Sequence, residues 1–154
     1  MMQLVSMIPN TTANDVLVRL PKEEHDSVCN YNSFYNRRNV IFSFNITLST
    51  SITTEPNRTV AFADVHTIDN SVSDAKIILA VLPEMRELHM GTALVKQCLR
   101  KCKEFGINKL IAEVPITDSI AVLFFNTIFN IDRHKSNKDY FVFYKYINDI
   151  EPCD

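Results

Sequence analysis

Residues 83–100 read PEMRELHMGTALVKQCLR, and Gly91 stands where an extended apolar run gives way to helical spacing. A strand that feeds straight into a helix aims the helix's first free N–H groups at the space above the strand end, and these donors and the helix dipole favour an anion. Glycine there lets a bulky phosphate approach the backbone. A Walker-type loop is excluded, because the turn reads Glu87, Leu88, His89, Met90 and lacks both further glycines and a Lys-Ser/Thr pair. Cys98 and Cys102 stand four apart and share a helix face, a spacing that suits a metal pair. No second Cys/His pair of matching spacing lies nearby, so no metal is expected and both read as buried thiols.

The chain that must position these residues has 154 residues, is 46% hydrophobic, and fits one globular domain over 1–154, with 1–14 and 148–154 expected as flexible termini. A net charge of −2 supplies no field for gripping nucleic acid, and basic residues interleaved with aromatics are lacking. No apolar run reaches membrane-spanning length and the N-terminus lacks a signal-peptide pattern, so a cytoplasmic or otherwise intracellular protein without a membrane partner is expected.

DVLVRLP (residues 15–21) alternates as a first strand, and KEEHDSVCNYNSFYN reads as a short helix. NVIFSFNITLS and RTVAFADVHT are β-branched and aromatic runs around a turn-rich segment, which predicts an antiparallel hairpin. AKIILAVLP is apolar at nearly every position, as in a central strand covered on both faces. From Met90 the stripe Leu94, Val95, Cys98, Leu99, Cys102, Phe105 is helical, and Gly106 stops it. NKLIAEVP is a strand, TDSIAVLFFNTIF a helix capped by Thr117 or Asp118, and DYFVFYKYI a last alternating strand. The mixed order predicts one α/β sheet with helices on it.

Over the longer window ILAVLPEMRELHMGTALV, the sequence resembles the cofactor motif of the GCN5-related N-acetyltransferases (GNAT): an apolar strand, V-x-P-E-x-R/Q-x-x-G-x-G/A, then a helix beginning G-T-A-L. Val81, Pro83, Glu84, Arg86, Gly91, Thr92, Ala93 and Leu94 match without a gap. The resemblance implies a mixed, mostly antiparallel sheet whose central parallel strands, residues 75–82 and 109–114, splay apart to admit the pantetheine arm of acetyl-CoA. By the same resemblance the arm pairs with backbone around Val81, and the pyrophosphate sits on the amides of Leu88, His89, Met90, Gly91 and Thr92. Arg86, Thr117 and Phe124 complete the implied cofactor site; Lys96 and Arg100 either neutralise outlying phosphate charge or form a solvated face.

The implied reaction is direct attack of a primary amine on the thioester, with a backbone N–H near Val81 or Leu82 stabilising the oxyanion. The chain departs from the family at three positions that matter. His89 replaces the loop's first glycine, Phe124 stands where many members carry a proton-donating tyrosine, and Ala75 stands where some carry a glutamate base. Candidate substitutes are Asp74, Glu113 and Asp64, with Tyr140, Tyr144 and His134 as fallback acids. The alternative is a degenerate member that binds acyl-CoA or a protein partner without turnover. Acids in KEEHD fit a cationic amine acceptor or a capped helix start, and an exposed edge of DYFVFYKYI would pair across a homodimer or lie under the C-terminal tail.

Overall fold

The computed structural model describes residues 2–6, 40–48, 58–68 and 71–149. Its strands are β1 (Met2–Ser6), β2 (Val40–Leu48), β3 (Arg58–Thr67), β4 (Asp74–Val81), β5 (Lys109–Pro115), β6 (Asn130–Ile131) and β7 (Tyr140–Tyr146). They form one sheet in the order β1-β2-β3-β4-β5-β7-β6. Every neighbouring pair is antiparallel except the central β4–β5 pair. Helix α1 (Met90–Glu104) crosses over between the two parallel strands, and α2 (Ser119–Ile128) follows β5. This is the mixed, mostly antiparallel α/β architecture that the resemblance implied.

Local chemistry explains where the helices begin and end. The apolar stripe of α1 buries Leu94, Val95, Cys98, Leu99 and Cys102, while Lys96, Arg100 and Lys103 stay exposed. Gly106 takes φ 73° and closes α1 in a Schellman motif: its N–H donates to Lys103 O at 3.3 Å and the Ile107 N–H donates to Cys102 O at 3.0 Å. Asp118, not Thr117, caps α2, its Oδ1 accepting the Ala121 N–H at 3.1 Å.

Residues opposite one another across the ladders share a face, so Phe44, Ala63 and Leu79 lie in one row, and Thr67, Ala75, Leu110 and Lys145 in another on the same face. Helix α1 packs there over β2–β4, and Phe105 at its C-terminus stacks on Phe42 at 5.6 Å. Helix α2 packs over β5–β7, with Phe125 stacked on Phe143 at 6.1 Å. Both α-helices among the described residues therefore cover one face of the sheet, on either side of the β4–β5 line.

The strand expected at 15–21 and the helix after it lie outside the described residues. Residues 2–6, expected in a flexible terminus, are strand β1 against β2, and Asn148 and Asp149 belong to a short 3-10 helix that buries Ile147. The two-residue β6 was not anticipated, being too short to show a period. β7 is not an open edge either: β6 pairs with it at Tyr144 and Phe143, and the Asp132 and Asn137 N–H groups donate to Val142 O and Tyr140 O at 2.7 and 2.9 Å. Its burial does not alternate strictly, because helix and loop cover different stretches of it.

Cys98 and Cys102 are both 0% exposed in the core beneath α1. Burial pushes the Cys98 thiol up, and pushes the Cys102 thiol up to about 12. Among the thiols, these two should resist a disulfide-exchange reagent in the native protein at pH 8 and react once denaturant is added; rapid native labelling of either, read by peptide mapping, would contradict this packing.

Candidate functional site

The parallel ladder between β4 and β5 consists of three residue pairs, Asp74↔Lys109, Ala75↔Leu110 and Lys76↔Ile111, and then stops. Beyond that point β4 remains paired with β3 and β5 with β7, so the two central strands part. The opening encloses about 230 Å³ between Ile77–Val81 and Ala112–Val114. On the helix side it is bounded by Gly91 and Thr92 of α1 and by Ala121, Phe124 and Phe125 of α2.

Backbone orientation decides what the β4 lip offers. The Leu82 N–H donates to Val60 O at 2.9 Å. Alternation in an antiparallel ladder then turns Ala80 and Ile78 toward β3 as well and leaves the N–H groups of Ile77, Leu79 and Val81 facing the gap. Leu82, expected to supply an oxyanion donor, is thus engaged elsewhere and fully buried, and Leu79 and Val81 are the residues whose amides face the cleft. Arg86 donates from Nε to Val81 O at 3.1 Å, which fixes the 3-10 turn Pro83–Leu88 against the strand end.

Helix α1 starts at the mouth of this opening. Its first intrahelical bond runs from the Ala93 N–H to His89 O at 3.1 Å, and no side chain caps the end, so the amides of Met90, Gly91 and Thr92 lack helical acceptors. His89 takes φ 57°, the only non-glycine residue in the left-handed region among those described. The loop therefore keeps the conformation for which glycine is suited, and His89 adopts it with its exposed side chain at the cleft mouth. A Cβ on Gly91 would lie 3.1 Å from Cε1 and Cζ of Phe124 and 3.7 Å from Leu79 Cδ2. Uncapped amides, a side-chain-free approach and a gap-facing strand edge fit a phosphorylated, amide-containing ligand such as the acyl carrier implied above.

The matched sequence decides the family: residues 17–129 match the acetyltransferase (GNAT) family. The chain belongs to the GNAT acetyltransferases. No curated protein matches it significantly in sequence. A GNAT-family acetyltransferase from Staphylococcus aureus Mu50 has a similar structure, with TM-score 0.71 at 13% identity over 96% of this chain and 99% of that one. The ribosomal-protein-S18-alanine N-acetyltransferase of Escherichia coli gives TM-score 0.62 at 18% identity, covering 99% and 97%. The PaiA N-acetyltransferase of Thermoplasma acidophilum, whose structure holds coenzyme A, gives 0.68 at 14%, covering 94% and 99%. At these identities the likeness is one of fold.

Within this GNAT fold, Val81, Arg86, His89, Gly91, Thr92, Phe124 and Glu113 line the cleft. Met90 is 2% exposed and points into the core, so only its amide could serve a ligand, and the Leu88 side chain lies outside the described atoms. Thr117 is exposed and does not line the cleft. Asp74 sits at the closed end of the gap, 3.8 Å from Lys109 Nζ and seven residues, or roughly 23 Å of strand, from Val81. It is not a cleft carboxylate. Tyr140 stands level with Pro115 on the sheet face opposite the helices and does not line the cavity. Tyr144 and His134 line a separate depression with Lys109 and Arg133. Lys96 and Arg100 are exposed on α1 and form its solvated face.

Sequence reasoning missed the polar layer on the face away from the helices. Asp64 is 1% exposed and accepts a hydrogen bond from Ser43 Oγ at 2.6 Å, while the buried Asn45 amide makes no hydrogen bond. Period-2 alternation in β2 and β3 signals this layer, since Ser43, Asn45 and Asp64 share a face. His66 extends the layer, with Nδ1 3.1 Å from Thr67 O. Burial pushes the His66 pKa down, that bond partly opposes it, and the Lys76 charge adds to the lowering.

An imidazole whose folded pKa lies below its ordinary value near 6.5 binds fewer protons in the native state than in the unfolded state. Its stabilising contribution is therefore present above pH 6.5 and is lost as pH falls through the lower folded pKa. Thermal melts between pH 7.5 and 5 should show a shallower acid loss for His66→Gln than for the parent, and equal slopes would sink the assignment. At the loop, His89→Gly should raise the unfolding free energy, by up to about 1 kcal/mol, whereas β-branched His89→Val should lower it. Denaturant titration of the two variants checks the opposite signs.

Proposed function

We propose that this GNAT chain is an acetyl-CoA-dependent N-acetyltransferase that transfers an acetyl group to a primary amine by direct attack on the thioester. The observation that carries the proposal is the interrupted β4–β5 ladder with the uncapped start of α1 at its mouth. Amides of Met90, Gly91 and Thr92 would hold the pyrophosphate, and gap-facing backbone of β4 would pair with the pantetheine arm. The Leu79 or Val81 N–H would meet the developing oxyanion inside an apolar wall, where such a donor counts for more than in water. Glu113, which lines the cleft, would take the amine's proton, since Asp118, the other acid lining the cleft, caps α2. A thiolate leaving group needs modest help, because thiols ionise near pH 8.5, so Phe124 at the family's tyrosine position does not preclude turnover.

One observation favours the second reading, an acyl-CoA-binding protein without turnover: the Phe124 ring rests against Gly91 where a phenol would otherwise serve as acid. The two readings part on one experiment. Calorimetric titration with acetyl-CoA should show binding that Gly91→Glu abolishes while the far-UV spectrum stays that of the parent. Thiol release in the presence of primary amines should then proceed above the uncatalysed rate. Binding without thiol release would select the second reading, and no binding by folded protein would overturn both.

A further inference from the structure

On the face of the sheet away from the helices, β4 and β5 carry an ion pair at the rim of the cleft. Lys76 stands level with Ile111, at the last residue pair before the strands part, and Glu113 stands two residues beyond Ile111 on β5. Lys76 Nζ reaches Glu113 Oε1 at 2.8 Å. Its ammonium therefore ends on the carboxylate of a residue that lines the cleft. The two side chains are 25% and 48% exposed, so the pair is reached by solvent and worth little to the fold. His66, opposite Lys76 on β3, presents a largely neutral imidazole to it, and Asp64 is occupied by Ser43.

We propose that Glu113 is the ammonium-binding residue for the acceptor, and that Lys76 is a placeholder that fills this subsite until an acceptor displaces it. The acceptor class follows from the occupant: a primary ammonium on an unbranched aliphatic stem, as in a lysine side chain or a simple alkylamine. Several features of the site agree with this class. Ile78 and Ala80, on the same face as Lys76, give the rim an apolar wall for a methylene stem, and Glu113 offers a charge-assisted hydrogen bond at its end. The cofactor elements, α1 and its loop, lie on the opposite face, so an acceptor here approaches through the gap without crossing the pyrophosphate site. Lys76 also neutralises Glu113 in the free protein, which spares an uncompensated carboxylate beside an apolar cavity. The inference rests on the acetyltransferase reading for its catalytic consequence, but the ammonium site itself does not.

Nα-acetyl-lysinamide is the probe, titrated calorimetrically without cosubstrate and then used as acceptor for KM. Lys76→Met removes the placeholder and should tighten probe binding and lower KM, by about fivefold for a solvent-reached pair. Lys76→Gln should behave alike. Glu113→Gln should weaken probe binding at least about tenfold. Acetyl-CoA affinity should be unchanged in all three variants. Probe binding no tighter in both Lys76 variants, or undiminished in Glu113→Gln, would overturn the proposal. A parent protein that binds no acetyl-CoA yet shows these amine effects would remove the acetyltransferase reading and leave the ammonium site standing.

Discussion

The parallel seam between the two central strands is three residue pairs long, while each strand stays paired with its other neighbour. β4 is committed to β3 from Ala75 to Val81, and β5 to β7 over its whole length. The twist of each half-sheet then carries the two strands apart after the three pairs that join them. Lys109, between Asp74 and the rings of Tyr144 and Tyr146, holds the closed end. Every functional feature of the molecule depends on this interruption. It opens a cavity in the middle of a sheet, exposes backbone donors on the β4 lip, and directs the chain leaving β4 into α1 across the mouth.

The helices convert that gap into a cleft with two distinct entrances. α1 and α2 pack on the same face, one on each half-sheet, and meet where Phe124 lies on Gly91. A Cβ at residue 91 would press on the Phe124 ring at 3.1 Å, so the glycine eases the packing of the two helices. The mouth on that side carries groups that favour an anion: uncapped amides, the positive end of the α1 dipole and the exposed His89. At the rim on the opposite face Glu113 pairs with the Lys76 ammonium.

Strain and burial are distributed unevenly around this site. His89 holds a left-handed conformation at the start of α1, at a cost of about 1 kcal/mol or more. The Asn45 side-chain amide, buried without a hydrogen bond, is a second destabilised group, on the face away from α1 and α2. Against these stand the closely packed row of Phe125, Phe129 and Phe143 and the fully buried Phe62 and Leu94. The core is continuous beneath both halves of the sheet, so the gap does not divide the structure into two independent units.

The sequence by itself determined the elements and the family. Apolar periodicity marked β2–β5, β7 and both helices, Gly106 marked the end of α1, and the motif from Val81 to Leu94 marked the loop, because each of these signals is local. Local spacing does not encode which partner a side chain or amide meets across the sheet, and there tertiary structure decided. It gave the Leu82 N–H to Val60, placed Asp74 at the closed end, turned Tyr140 and Tyr144 away from the cleft, and put Lys76 on Glu113. β6 was too short to show a period, and the covering of β7 depended on how the preceding loop folds back. Registry between strands far apart in the chain is set by packing of the whole sheet, and that registry turned a list of candidate acids into one carboxylate at the cleft rim.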